Sequence, residues 1–362
     1  MKKIALVAVT LTGTELLEKI YYYYPEGDFY TNQQWLDRGW EIPQERFFGY
    51  SSLKNLITKI YGKYHGFIMV TALGIVFRTF APHIKDKYTD PAVVVVDERG
   101  KNVISVLSGH LGGANDLCRQ LAQYLQANPV ITTATDVNGL FAFDSIARKY
   151  NLKIENPISL KKFNSALLQG EGIKVYIDSG NKILQDLKSN GTNIEIRDIE
   201  EYLETKLGKE LCCVITNKNS VFDQANENLL VMRPRNIVLG IGCRRGVAAA
   251  TIRELITEQM DKLNLSQLSI KAIATISLKE DEEGLNQIAS EYGVDLLCFT
   301  REEIENVCEE IKITASDFVK AKVGVSCVCE PAAILGGNKV KLILKKTARE
   351  GVTLAVGEES LP

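Results

Sequence analysis

Val103-Ile104-Ser105-Val106-Leu107-Ser108-Gly109-His110-Leu111-Gly112-Gly113-Ala114-Asn115-Asp116-Leu117 runs from a β-branched stretch through a glycine-rich loop into a helical pattern. Val103 to Leu107 predicts a strand, and Leu117, Leu121 and Leu125, at helical spacing, predict an amphipathic helix from Asn115 onward. Strand, glycine turn and helix in that order form the building unit of an α/β sheet. The loop then falls at a strand's carboxyl end, the edge at which open α/β sheets bind ligands. Gly109, Gly112 and Gly113 allow backbone N–H groups to approach a ligand, and the helix N-terminus favours an anion. His110 is one of only three histidines in the chain. A glycine-rich turn carrying a solvated histidine fits the same residues.

The pattern recurs outward from this stretch. Ile4 to Val9, Gly66 to Thr71 and Ala92 to Asp97 read as strands, with helical patterns between them. Asp97-Glu98-Arg99-Gly100-Lys101 supplies turn residues between two β-branched runs, which predicts an antiparallel hairpin and a mixed sheet. Residues 1–137 form a first α/β domain on this reading. Residues 138–234 carry helical patterns at Phe141 to Tyr150 and Ser159 to Gln169, then short strands at Lys174 to Ile177, Ile194 to Ile196 and Cys212 to Thr216. This middle segment is expected to be a smaller α+β connector. Residues 235–362 return to strand, glycine turn and helix, a second α/β domain.

Composition bounds the function. A chain of 362 residues exceeds one ordinary core. Its net charge of −2 gives no global attraction for nucleic acid or an anionic membrane. No stretch approaches a membrane span, and the apolar run after Lys3 is too short for a signal peptide, so a cytoplasmic protein is expected. Eight cysteines with no Cys-x-x-Cys pair suggest reduced thiols rather than a disulfide framework or a thiolate metal site.

The third segment opens on Ile237-Val238-Leu239-Gly240-Ile241-Gly242-Cys243-Arg244-Arg245-Gly246. This is one residue longer than a dinucleotide fingerprint, and no acidic residue ends the next strand at the expected distance. The glycine loops also lack the Lys-Ser/Thr ending of a phosphate loop, which disfavours a nucleotide enzyme. Gly242, Arg244 and Arg245 can instead cradle a carboxylate or phosphate, or form a plain βα turn with solvated arginines. Glu330, just before Pro331, is placed to cap a helix or to act as an acid or base.

Gly74-Ile75-Val76-Phe77-Arg78-Thr79-Phe80-Ala81-Pro82-His83-Ile84-Lys85-Asp86-Lys87-Tyr88-Thr89-Asp90-Pro91-Ala92-Val93 leads into Ser108 to Asp116 and then Thr132-Thr133-Ala134-Thr135-Asp136. Together with Gly240 to Gly246 and Cys329-Glu330-Pro331-Ala332-Ala333, these stretches closely resemble the CbiG family of cobalamin biosynthesis proteins. The resemblance spans both end domains, while the middle segment matches in length and position more than in motif. It implies a cobalt-precorrin-5A hydrolase of the anaerobic, cobalt-first route to the corrin ring. Such an enzyme opens a δ-lactone and expels a two-carbon fragment as acetaldehyde, giving cobalt-precorrin-5B. A non-catalytic carrier of the same macrocycle would use similar features.

The implied chemistry asks for a base, oxyanion donors, and an acid or base for the collapsing hydroxyl. His110 is the first candidate base and His83 the second, with Asp116 and Asp136 to orient a histidine and Glu330 to serve as acid or base. The substrate's acetate and propionate arms call for cationic and N–H anchors. Arg78, Lys85, Lys87, Arg244 and Arg245 are candidates, with Asp90, Asn115, Thr132, Thr133, Thr135 and the glycines 109, 112, 113 and 242 beside them. Thr135 and Asp136 equally suit a helix cap. Cobalt would arrive inside the substrate, so no separate cofactor is expected, and other corrin-pathway enzymes are the expected partners. A cleft between the end domains is the economical place for so broad a ligand.

Overall fold

The computed structural model describes residues 3–86, 89–140, 142–178, 193–204, 210–219, 226–310 and 327–360, and, between 178 and 193, Ile183, Gln185 and Leu187. The chain forms two compact units, residues 1–148 and 149–362. Among the described residues no helix is long and apolar enough to cross a membrane.

In the first unit β1 (Ile4–Ala8), β2 (Asp28–Asn32), β3 (Phe47–Tyr50), β4 (Gly66–Val70), β5 (Ala92–Val96), β6 (Asn102–Leu107) and β7 (Asn128–Val130) make one sheet. Its order is β3-β2-β1-β4-β5-β6-β7. The first five strands are parallel, whereas β6 runs antiparallel to β5, with Val96 opposite Val103 and Val93 opposite Leu107. Side chains two apart share a face. Leu6, Ala8, Ile68, Val70, Val94 and Val96 therefore pack with Leu17 and Ile20 of α1 (Leu11–Tyr21) and with Leu117 and Leu121 of α4 (Ala114–Leu125). Ala5, Val7, Phe67, Met69, Val93 and Val95 face α2 (Leu53–Ile60) and α3 (Leu73–Phe80) on the other side. Covering both faces is what makes the β5 sequence Ala-Val-Val-Val-Val apolar at every position.

The predicted hairpin at Asp97 to Lys101 is present and decides where the glycine loop sits. Because β6 reverses direction, its carboxyl end lies beside the amino end of β5. The loop from Ser108 to Gly113 thus stands at the amino edge of the five parallel strands. The expected ligand edge, the carboxyl ends of β1, β4 and β5, is the opposite one. After β7 come two short helices, α5 (Ala134–Val137) and α6 (Phe143–Lys149).

The second unit carries two further mixed sheets. β8 (Leu152–Ile154), β9 (Ile173–Ile177), β10 (Ile194–Asp198), β11 (Leu211–Ile215) and β12 (Leu229–Pro234) are ordered β10-β9-β11-β12-β8, with helices α7 (Pro157–Gln169) and α8 (Ile199–Glu204). Only β8 is antiparallel, so the connector alternates strand and helix like its neighbours. Arg233, a residue of β12 whose side chain is 1% exposed, is neutralised by Glu155 at 2.6 Å. Asn217 ties the two sheets together by donating to Asn236 at 3.2 Å and to Glu358 at 2.6 Å.

The last sheet comprises β13 (Ile237–Cys243), β14 (Ile270–Ile276), β15 (Asp295–Phe299), β16 (Val340–Arg349) and β17 (Val352–Glu359), ordered β15-β14-β13-β17-β16. α9 (Ala249–Lys262) and α10 (Glu283–Tyr292) cover one face. α11 (Arg301–Glu310) and α12 (Cys329–Leu335) cover the other. α12 sits directly on β13 because residue 240 is glycine. A Cβ there would lie 1.8 Å from the Cys329 carbonyl oxygen and 2.7 Å from the Ala333 nitrogen. The architecture is α/β throughout, in mixed sheets.

Candidate functional site

In the first unit the residues of the glycine loop gather around His110. The loop is shaped by Ser108 and Gly113, which take φ of 55° and 91°. At Gly113 a side chain would also meet the Arg148 guanidinium, 2.7 Å from a Cβ. The first two amides of α4 are already spent within the loop: Ala114 donates to the Ser108 carbonyl at 3.1 Å and Asn115 to that of Gly109 at 3.0 Å. An anion would not find those two N–H groups free. Gly109 packs against the Asn115 side chain and Gly112 over Ser108.

His110 is largely buried and held at both ring nitrogens. Nε2 lies 3.0 Å from Thr135 Oγ1, and Nδ1 lies 2.8 Å from Ser145 Oγ. Either hydroxyl can donate or accept, so the ring can take either tautomer. Asp136 Oδ2 stands 3.7 Å from Nδ1, a separation for Coulombic attraction to a protonated ring rather than for a hydrogen bond. Asn115, 3% exposed, organises the rest of the cluster. It accepts from Ser105 Oγ at 2.6 Å and donates to Thr133 Oγ1 at 3.1 Å and Asp136 Oδ2 at 2.9 Å. Arg119 pairs with both Asp136 and Asp116, and Arg148 also pairs with Asp116. Burial lowers the Arg148 pKa, and its Nε is buried with no partner among the described residues. Asp116 therefore belongs to a chain of alternating charges that runs through Arg119 to Asp136, the carboxylate beside His110. The chemistry available to the cluster is proton transfer at an oriented imidazole.

The other residues singled out in this unit lie elsewhere in it. His83 contacts Thr58 Oγ1 at 3.2 Å and the Tyr61 ring at 5.3 Å. Asp90 is buried, and its carboxylate accepts from the Lys85 amide at 3.0 Å and the Tyr61 hydroxyl at 3.0 Å, closing the loop before β5. Arg78 and Lys85 are exposed, as is Thr132, while Lys87 lies outside the described residues. Ser145 was not foreseen: it sits 35 residues from His110 in an unremarkable helix, and only the fold joins them.

In the second unit the carboxyl ends of β13 and β14 and the hairpin between β16 and β17 enclose a cavity of about 950 Å³. Its cations are Arg244, Arg245, Lys279, Lys346 and Arg349. Asp281 engages Arg245 at 3.0 Å, Glu282 engages Lys279 at 3.1 Å, and Glu254, Glu258 and Glu350 surround Arg349. Arg244 and Lys346 have no carboxylate partner for their side chains among the described residues. The expected anion cradle after Gly242 already holds one of the protein's own carboxylates, since the Gly246 amide donates to Glu282 Oε1 at 2.5 Å. Burial opposes ionisation of Glu282, but that amide and Lys279 outweigh it and hold the carboxyl below the usual range. Glu330 lies in the first turn of α12, 8% exposed, and its Oε1 accepts from the Lys346 amide at 2.9 Å.

Comparison with known proteins gives a uniform result. Family models described as cobalamin synthesis G N-terminal, cobalamin biosynthesis central region and cobalamin synthesis G C-terminus match residues 55–136, 141–234 and 237–357. The chain is 34% identical over 356 residues to a cobalt-precorrin-5A hydrolase of Priestia megaterium, covering 97% of this chain and 94% of that one. It is 34% identical over 360 residues to a cobalt-precorrin-5A hydrolase of Salmonella typhimurium, covering 98% and 97%. A solved structure of a cobalamin biosynthesis protein G homolog from Sulfolobus solfataricus aligns with a TM-score of 0.37 at 26% identity, covering 99% of this chain and 97% of that one.

Proposed function

Since the chain belongs to the CbiG family of cobalamin biosynthesis proteins, we propose that it is a cobalt-precorrin-5A hydrolase, opening the δ-lactone and releasing acetaldehyde to give cobalt-precorrin-5B. The observation that carries this reading is the match at 34% identity, over 97% and 98% of the chain, to proteins of that name. The geometry supports it at two places. His110, oriented by Thr135, Ser145 and Asp136, is the group assigned to take a proton from the water that hydrolysis consumes. Arg244 and Lys346 are assigned to carboxylate arms of the macrocycle.

Cobalt enters as part of the substrate, and the reaction is written without a further cofactor. After lactone opening the freed hydroxyl collapses, the carbon–carbon bond breaks, and the macrocycle keeps the electron pair. The eight free cysteines fit a reducing compartment, and we place the reaction in the cytoplasm. Other enzymes of the corrin route are the expected donors and acceptors of the intermediate. The test is anaerobic incubation of the purified protein with cobalt-precorrin-5A, following acetaldehyde and the ring-contracted product. One acetaldehyde per macrocycle over many turnovers is expected. A tight stoichiometric complex that releases none would make the protein a carrier instead.

A further inference from the structure

Cys327 lines the cavity of the second unit and has no part in the reaction as written above. Its Sγ lies 3.9 Å from Cys329 Sγ and 3.9 Å from Glu330 Oε2. The Lys346 amide holds the other oxygen of Glu330, which fixes the carboxylate with Oε2 turned to the thiol. From α11, Cys308 donates its S–H to the Cys327 carbonyl at 3.7 Å. The groups that set the charge on this sulfur are therefore Cys329 and Glu330 of α12, Cys308 of α11 and Lys346 of β16. The S–H donated by Cys329 holds the Cys327 thiol below the ordinary range, against the effect of burial. The same contact, together with burial, pushes Cys329 up, so Cys329 stays the protonated donor. Burial raises every other cysteine in the chain.

We propose that Cys327 is the acyl acceptor in lactone opening, with Glu330 as its proton acceptor and Arg244 and Lys346 holding carboxylate arms of the substrate. The proposal rests on the hydrolase reading. In the first step the sulfur bonds to the lactone carbonyl carbon while its proton passes to Glu330. The carbonyl carbon's bond to the ring oxygen breaks, and Glu330 returns the proton to that oxygen as a hydroxyl. As the carbon–carbon bond breaks the hydroxyl passes its proton back to Glu330, which releases it to solvent; acetaldehyde leaves, and the macrocycle keeps the electron pair. Water then adds to the thioester, the carbon–sulfur bond breaks with the sulfur taking one of the water's protons, and the new carboxyl releases the other to solvent as the thiol is restored. Substrate and one water give product, acetaldehyde and two protons, with no external oxidant or reductant.

The test mixes wild-type protein with cobalt-precorrin-5A, quenches in acid during turnover, and maps covalent adducts by peptide mass. A substrate-derived acyl group on Cys327 is expected, together with a loss of acetaldehyde release of about 10³-fold or more in Cys327→Ala. Cys298→Ser, on β15, should retain full activity. Iodoacetamide applied to the wild type should label Cys327 ahead of the other thiols below the ordinary thiol range of about 8.5. Activity should fall in step with that label, and substrate should protect. This arm stands even where Cys327→Ala fails to fold. Wild-type turnover matched by Cys327→Ala, or labelling of Cys327 without loss of activity, overturns the acyl-acceptor role and leaves the hydrolase reading intact. A wild type that releases no acetaldehyde overturns the hydrolase reading and this proposal with it.

Discussion

Asn115→Ala offers the sharpest physical test of the His110 cluster. The substitution removes three side-chain hydrogen bonds from a residue only 3% exposed, leaving Ser105 Oγ, Thr133 Oγ1 and Asp136 Oδ2 short of a partner. Two of these bonds are neutral, about 1 kcal/mol each, and the third is made to a carboxylate, about 1.5–3 kcal/mol. Allowing for water that enters the gap, the loss is about 3 kcal/mol. Both tryptophans, Trp35 and Trp40, lie in the first unit, so tryptophan fluorescence during urea unfolding reports that unit alone. With a urea dependence of about 2 kcal/mol per molar for a unit of this size, the midpoint should fall by about 1.5 M. Asn115→Asp keeps the acceptor for Ser105 but turns the donor face into a second carboxylate beside Asp136. At neutral pH it should cost at least as much. A midpoint within about 0.25 M of wild type for either variant, the range of a neutral surface change, would refute the view that Asn115 holds the loop and Asp136 together.

The second unit gives an orthogonal test. Gly240→Ala places a Cβ 1.8 Å from the Cys329 carbonyl oxygen, a backbone atom that no rotamer can move, so α12 must lift from β13 at a cost of about 3 kcal/mol. Hydrogen exchange in residues 329–335 should quicken while the tryptophan-detected transition stays put; unchanged exchange there would disprove the contact. Glu282 binds fewer protons folded than unfolded, because the Gly246 amide and Lys279 favour its charged form. The stability it contributes is therefore present above the unfolded value of about 4.3 and lost as pH falls through the folded one. Glu282→Gln should cost about 1–2 kcal/mol at pH 7, and the gap to wild type should close toward about pH 3. Circular dichroism melts that stay equally spaced across that range would show that the charge is not what matters. His110→Ala should lower turnover by about 10²–10⁴-fold with substrate affinity kept, whereas Arg244→Ala should weaken binding by about 10-fold or more. Acetaldehyde assays and spectrophotometric titration separate the two, and equal turnover in His110→Ala removes His110 as the base.

Much of this was legible in the chain because the signals were local. The β-branched run before Ser108 and the leucines after Asn115 located β6 and α4, and the turn residues at Asp97 to Lys101 located the hairpin. What that hairpin does to the neighbouring edge is a non-local consequence, and the expectation of a carboxyl-edge loop omitted it. β2 and β3 were not foreseen, since Asp28-Phe29-Tyr30-Thr31-Asn32 and Phe47-Phe48-Gly49-Tyr50 lack an aliphatic run. Arg244 and Glu330 were visible through their glycine and proline neighbours. Lys346, Thr353 and Cys327 reach the same cavity only by strand pairing and helix docking, and no spacing in the sequence records that.

The hairpin of β16 and β17 turns at Glu350 and Gly351, and the Gly351 carbonyl accepts the Arg244 amide at 2.9 Å. Its tip is thus a parapet clipped to the end of β13, while its roots carry the sheet's antiparallel margin. Lengthening both arms by a residue pair would raise the parapet by one pleat and leave every inward side chain inward. The depth of the cavity is in this sense an adjustable dimension, separable from the parallel core that supports it. A bulkier or more heavily carboxylated ligand could be accommodated by remodelling one turn.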